Sequence, residues 1–251
     1  MQVVGYQRDV GAGASLLLAE AGAVRSVPLD PGADLRYALG PRHCAGTLLD
    51  DGHRACANDA APYCAAHRDT WVCARCTGTC LKDEMDCHDE HAVYLAAFAP
   101  ATFKVGVTRL ERLPTRVREQ GADRAAHVLT LPDGRVARQR EAEIARDVGD
   151  RVRVAEKIRG LHRAVDERAW DRLLADFDPK REFAPDYGLS LRDQPVPETM
   201  ATGTVVGTKG RLLVLERDGS RYAVDMRDLV GHELAAGESQ RDRQASLGAF
   251  S

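Results

Sequence analysis

Seven cysteines fall in one stretch of the chain: Cys44, Cys56, Cys64, Cys73, Cys76, Cys80 and Cys87. With His67 they make eight thiolate or imidazole donors, the number that two tetrahedral zinc sites require. The donors come in pairs: Cys44 and Cys56, Cys64 and His67, Cys73 and Cys76, Cys80 and Cys87. Cys73-Ala-Arg-Cys76 is a C-x2-C knuckle whose two thiolates reach one ion without strain, and Cys64-Ala-Ala-His67 repeats that spacing with a histidine. Alternating the pairs gives a cross-brace. Cys44, Cys56, Cys73 and Cys76 would hold one ion, and Cys64, His67, Cys80 and Cys87 the second. Sequential pairing is the competing arrangement, and His43, His53, His88 and His91 are alternative donors. An odd number of thiols cannot be closed by disulfides alone. A redox C-x2-C would follow a strand in a βαβ unit, whereas Cys73 follows Trp71 and Val72 in a loop-rich tract. Ligation wholly by protein groups implies a structural ion, one that stabilises a segment too poor in apolar residues to fold alone.

The rest of the chain has to position that module. Its 251 residues are 44% hydrophobic and 29% charged, enough for real cores in one large domain or several small ones. A net charge of −3 excludes a globally basic nucleic-acid coat protein. Arginine far outnumbers lysine, which supplies forked guanidinium groups suited to phosphate. No apolar run approaches the roughly 18–20 residues that cross a bilayer. The opening residues lack the charged-then-apolar pattern of a secretory signal, so a cytoplasmic, reducing location is expected.

The expected fold class is α+β. Residues 1–43 read as an N-terminal β segment, with a strand at 15–19 and turns at Gly22 and Pro31-Gly32. Residues 44–90 are the cysteine module, and residues 91–178 an α/β core. In that core, strands at 92–98 and 103–108 form a hairpin. A helix starts at Leu113 with Pro114 in its first turn and stops at Gly121. A strand at 125–131 follows, then a helix over 136–149 and helical spacing from Val152 to Leu174. Pro179, Pro185, Pro195 and Pro197 mark a loop-rich linker. Residues 198–235 read as a small antiparallel β domain of three strands, with Asp218-Gly219 as one turn, and 236–251 as a disordered tail. No internal repeat is visible.

A second set of residues carries a resemblance. Val93-Tyr94-Leu95, then Lys104-Val-Gly106-Val-Thr108, then Arg116, then Glu141, is similar in order to the GIY-YIG nuclease superfamily. That superfamily places a tyrosine on a first strand, Tyr-x-Gly-x-Thr/Ser on a second, an arginine on the first helix and a glutamate on a later one. The wider pattern resembles the domain-of-unknown-function 2797 family, related to it. The carrying strings are Cys-x-Gly at 44–46, the later C-x2-C, Lys104 to Arg109, Pro114-Thr-Arg116, Gln120-Gly-Ala122 and Gly207-x-Lys-Gly210.

The resemblance implies a GIY-YIG-like core and phosphodiester cleavage with one divalent metal. Tyr94 would position or activate the attacking water. Arg116 would bind the scissile phosphate, Glu141 would hold magnesium, Gly106 would allow close approach, and Lys104 could contact phosphate as a point charge. Lys104 stands where the superfamily motif has its second tyrosine, and Glu143 competes with Glu141. Read without the resemblance, Tyr94 is a core strand residue and Arg116 a surface arginine. The helix partners of Glu141 then lie at i−3 and i+5. Arg109, Arg112, Arg116, Arg118 and Arg124 make a basic stretch that can follow a phosphate backbone or form a solvated face. Tyr63 and Trp71 could stack on bases or pack in a core. The expected partner is therefore DNA or RNA, with an enzyme, a non-catalytic binding module and a zinc-stabilised interaction scaffold as the competing functions.

Overall fold

The computed structural model describes residues 1–9, 13–68 and 88–237. The chain divides into two compact units, Met1–Arg68 with Pro195–Ser251, and Asp69–Gln194. Elements are numbered along the chain.

The first unit is built from both ends of the sequence. Its strands are β1 (Gln2–Asp9), β2 (Gly13–Glu20), β3 (Ala23–Pro28), β4 (Asp34–Arg42), β5 (Thr47–Leu49), β6 (Gly52–Arg54), β11 (Val196–Pro197), β12 (Ala201–Lys209), β13 (Leu212–Arg217), β14 (Ser220–Asp225) and β15 (His232–Ala236). A short helix, α5 (Met226–Leu229), precedes β15. Nine strands form one sheet in the order β11-β14-β13-β12-β4-β15-β1-β2-β3, and β5 with β6 makes a separate hairpin. Strand β2 shows why these residues are extended. Leu16 and Leu18 enter the main core, while Leu17 and Ala19 pack in a second cluster on the opposite face, the period of two that a pleated strand requires. Two tight hairpins follow their turn chemistry. Ala21 with Gly22, and Asp218 with Gly219, all take positive φ, the type I′ signature that matches strand twist.

The structure joins what sequence patterning treats as two β segments. Strand β4 pairs with β12 on one edge and with β15 on the other, and β1 also pairs with β15. The carboxy-terminal part holds β15 beyond the three expected strands. Alternation identifies a strand but carries no information about a partner far away in sequence, so only coordinates reveal this closure.

The second unit contains β7 (His91–Phe98), β8 (Thr102–Arg109), α1 (Leu113–Gln120), β9 (Arg124–Leu131), α2 (Gly134–Val148), α3 (Val154–Gly160), α4 (Glu167–Leu174) and β10 (Arg181–Phe183). Its antiparallel sheet runs β10-β9-β7-β8. Every residue of β7 is buried, because the strand is central and covered on both faces. Val93, Leu95 and Ala97 meet Ala137, Trp170 and Leu174 on one side. Ala92, Tyr94, Ala96 and Phe98 meet Leu113 and Val117 on the other. Helix α1 begins with Pro114 in its first turn and ends at left-handed Gly121, as its sequence predicts. Asp133 caps α2 by accepting the Val136 N–H at 2.8 Å, so the helix starts slightly before the expected residue 136. The helical pattern from Val152 to Leu174 is two helices, because Asp166 caps a fresh start by accepting from the Ala169 N–H. Within the proline-rich linker, Arg181–Phe183 adds an edge strand to β9. No helix among the described residues is long and apolar enough to cross a membrane.

Candidate functional site

Two clusters carry chemistry, one in each unit. In the first unit, Cys44 follows β4, Cys56 follows β6, and Cys64 and His67 share one turn in which the His67 N–H donates to the Cys64 carbonyl. Their ligand atoms all lie within 4.8 Å of one another. Tetrahedral zinc, bound at about 2.0–2.3 Å, sets its ligand atoms about 3.3–3.8 Å apart. The His67 Nδ1 stands 3.4 Å from the Cys44 Sγ and 3.2 Å from the Cys64 Sγ, so three thiolates and one imidazole fit one zinc ion.

Backbone amides converge on the first sulfur. The amides of Gly46 and Cys64 donate to the Cys44 Sγ at 3.5 and 3.3 Å. Gly46 takes φ +67, and a Cβ there would collide with the Arg54 carbonyl oxygen, which explains glycine two residues after the ligand. Desolvation pushes the Cys64 thiol up. Hydrogen bonds from the His67 side chain, from the amides of His67 and Ala66, and from Cys44 outweigh it and bring the thiol down to about 6. Cys56 goes the other way, because desolvation and the Cys44 and Cys64 sulfurs overcome a hydrogen bond at Asn58.

A second ring of bonds ties the site to the sheet. Buried Gln2 donates to the carbonyls of Cys44 and Gly231. His43 contacts the Cys56 carbonyl and the Glu233 carboxylate, and the His53 imidazole donates to the Ala45 carbonyl at 2.6 Å. His43 and His53 thus brace the loops that carry Cys56 and Cys44.

Among the described residues Cys44 and Cys56 sit with Cys64 and His67, the grouping of the sequential arrangement. The short β5–β6 hairpin folds Cys56 back toward Cys44, which both arrangements require. Cys73, Cys76, Cys80 and Cys87 lie outside the described residues, as does Trp71. Tyr63 packs against the main core of the first unit. His91 donates to the Asp89 carbonyl.

In the second unit, Tyr94 on β7 pairs directly with Gly106 on β8. A Cβ on Gly106 would sit 2.6 Å from both the Cζ and the hydroxyl of Tyr94, so the phenol lies across the glycine. The ladder between β7 and β9 slips beside Tyr94, between Val93 and Tyr94, as bulges near functional side chains often do. Gln120, at the end of α1, donates its Nε2 to the Tyr94 oxygen. Its own carbonyl accepts from the Lys157 Nζ at 2.7 Å, and that ammonium also sits 4.4 Å above the Phe98 ring. Arg116, one turn before Gln120, also hydrogen-bonds the Tyr94 oxygen and pairs with Glu119 at 3.2 Å. Burial pushes the Tyr94 phenol up against the pull of Arg116 and Gln120, so it stays protonated.

Lys104 lies two residues before Gly106, on the same face of β8. Burial pulls its ammonium down to about 8; Arg116 and Arg138 add to that, while Glu141 and Asp150 oppose it. Glu141 binds Arg138 at 2.6 Å across i,i+3, with only 12% and 21% of the two side chains exposed. The neighbouring pair on α2, Arg140 with Glu143, has the same length but is about half exposed. Glu141, not Glu143, therefore acts on Tyr94 and Lys104.

Tyr94 thus lies against Gly106, and Arg116 and Glu141 each act electrostatically on Tyr94 and on Lys104. Gln120 and Arg138 complete the cluster. Gln120 lies in the Gln120-Gly-Ala122 string of the family resemblance, which implies no role for it, and the i−3 spacing already points to Arg138. The residues around Glu141 do not suit magnesium as they stand. The carboxylate is engaged by Arg138, and Lys104 and Arg116 add positive charge to the same volume. The basic stretch is largely paired within the unit: Arg109 with Asp89, Arg112 and Arg116 with Glu119, Arg118 with the Asp186 carbonyl and Arg124 with Glu167.

The family described as protein of unknown function (DUF2797) matches residues 54–194. The chain belongs to that family. The DUF2797 match covers Cys56, Cys64, His67 and the whole Tyr94 cluster, and it begins after Cys44, the fully buried member of the Cys/His group. No curated protein and no solved structure matches the chain.

Proposed function

We propose that this DUF2797 protein binds nucleic acid, taking the phosphate backbone at the Tyr94 cluster of a GIY-YIG-like second unit while zinc stabilises the first. One observation carries the reading. Four residues spread from Tyr94 to Glu141 along the chain act on one another around Gly106. Tyr94 on β7, Gly106 on β8, Arg116 on α1 and Glu141 on α2 follow the first strand, second strand, first helix and later helix of the superfamily resemblance.

The chemistry of binding follows from the side chains. Arg116 is the exposed member, its planar fork suited to phosphate oxygens. Lys104 supplies a point charge beside it. Tyr94 accepts from Gln120 and Arg116, which leaves its own proton available to donate. The zinc role is structural, with one ion on Cys44, Cys56, Cys64 and His67. Cys73, Cys76, Cys80 and Cys87 are the donors left for a second.

The test is fluorescence anisotropy of labelled DNA and RNA oligonucleotides across a salt series. Affinity is expected to fall linearly with the logarithm of salt concentration. Arg116→Ala should weaken binding and reduce that slope by about one. Absence of binding to either polymer would favour the zinc-stabilised interaction scaffold. Magnesium-dependent cleavage is a second reading, favoured by the same convergence of motif residues, and it needs Glu141 released from Arg138. Products that appear with magnesium and vanish in Glu141→Ala would establish it.

A further inference from the structure

Glu141 acts on both Tyr94 and Lys104, and it is already taken. Arg138 holds it at 2.6 Å, and the pair is mostly withdrawn from solvent. A charge-assisted bond of that length in a partly buried setting resists displacement. The contrast with Arg140 and Glu143, one step along the same helix, is informative. That pair repeats the spacing and the distance but faces water, so the partial burial of the first pair comes from its position against the sheet and not from its sequence pattern. The remaining charges tip the balance further. Lys104 feels Arg116 and Arg138 as repulsive neighbours and Glu141 and Asp150 as attractive ones. Arg116 shares Glu119 with Arg112. A divalent cation would enter against three positive side chains. A phosphate group would relieve them.

We infer that the Tyr94 cluster is an anion site that takes a phosphate group directly, without a divalent ion, with Lys104 and Arg116 as its cationic donors and Arg138 as the resident partner of Glu141. This deepens the nucleic-acid reading, because it rests on the same site. It assigns Arg138 a positioning role that the superfamily resemblance does not. Held by Arg138, the Glu141 carboxylate is charge-compensated and repels the incoming anion less. Freed from Arg138, it would turn the same volume toward cations.

The test is calorimetric titration of the full zinc-loaded chain, in a phosphate-free buffer, with inorganic phosphate and separately with magnesium chloride. Phosphate should bind with the same affinity whether or not magnesium is present, and magnesium alone should give no saturable heat. Lys104→Met should weaken phosphate binding about tenfold, the value of one charge-assisted contact, and Lys104→Arg should retain it. Arg138→Gln should acquire magnesium binding and lose phosphate affinity. Circular dichroism of each variant separates these effects from unfolding. Phosphate binding that requires magnesium, or magnesium binding to the unaltered protein that disappears in Glu141→Gln, would overturn the inference. Oligonucleotide binding that is unaffected by Lys104→Met would overturn it while leaving nucleic-acid binding intact. Phosphate binding without any oligonucleotide binding would do the reverse.

Discussion

The two clusters gather polar groups by opposite means. In the first unit the four ligands lie between Cys44 and His67 and reach one another through turns, with backbone amides aimed at sulfur. In the second, Tyr94, Lys104, Arg116 and Glu141 come from two strands and two helices, and the sheet register brings them together. A turn-built site depends on the ion to hold loops that have little else to bury. A register-built site is held by the cores on either side of β7 and exists before any ligand arrives. The charges differ accordingly. Sulfur crowds where a cation is wanted, and guanidinium and ammonium groups crowd where an anion is.

The largest effect should come from breaking the turn-built site. Cys44→Ser removes the fully buried ligand that two amides address. We expect zinc content to fall and the first unit to melt with a loss of several kcal/mol, on the order of 3 or more, in thermal denaturation. Removing zinc by chelation should reproduce that loss.

Next is Gly106→Ala. The new methyl would meet the Tyr94 ring at 2.6 Å. Displacing the phenol should cost about 1–3 kcal/mol as overpacking does, and oligonucleotide affinity should fall with it. Retained affinity at unchanged stability would mean that Tyr94 does not shape the site.

Lys104 gives a pH signature. Its folded pKa of about 8 lies below the ordinary value of 10.5. Between those values the unfolded chain binds more protons, so stability should rise as pH climbs from about 8 toward 10.5. Lys104→Met should flatten that slope in chemical denaturation at several pH values. The smallest effect is expected at Glu143. Its pair with Arg140 is exposed, so Glu143→Ala should change stability by less than about 0.5 kcal/mol and leave binding unaltered. An effect as large as that of Glu141→Ala would reverse the choice between the two glutamates.

Much of this was legible in the sequence, for identifiable reasons. The cysteines announce a metal because their chemistry and crowding have few other uses. The hairpin from Ala92, Pro114 and Gly121 bounding α1, and the Asp218-Gly219 turn are local signals, and each element forms where its residues specify. The partners of β4 and β15 were not legible, because strand patterning names a face and not a neighbour. The grouping of Cys44 and Cys56 with Cys64 and His67 was not legible either, because alternating and sequential sets satisfy the same spacing. Gln120 illustrates the same limit: its role depends on where the end of α1 lands over β7.

The contrast between a sulfur site for cations and a basic site for anions can be tested in one measurement. The zinc-loaded chain is dialysed to equilibrium against manganese, which stands in for magnesium, and the bound metals are counted. The account predicts that zinc is retained and that no manganese binds beyond it. Stoichiometric manganese that disappears in Glu141→Ala would contradict it.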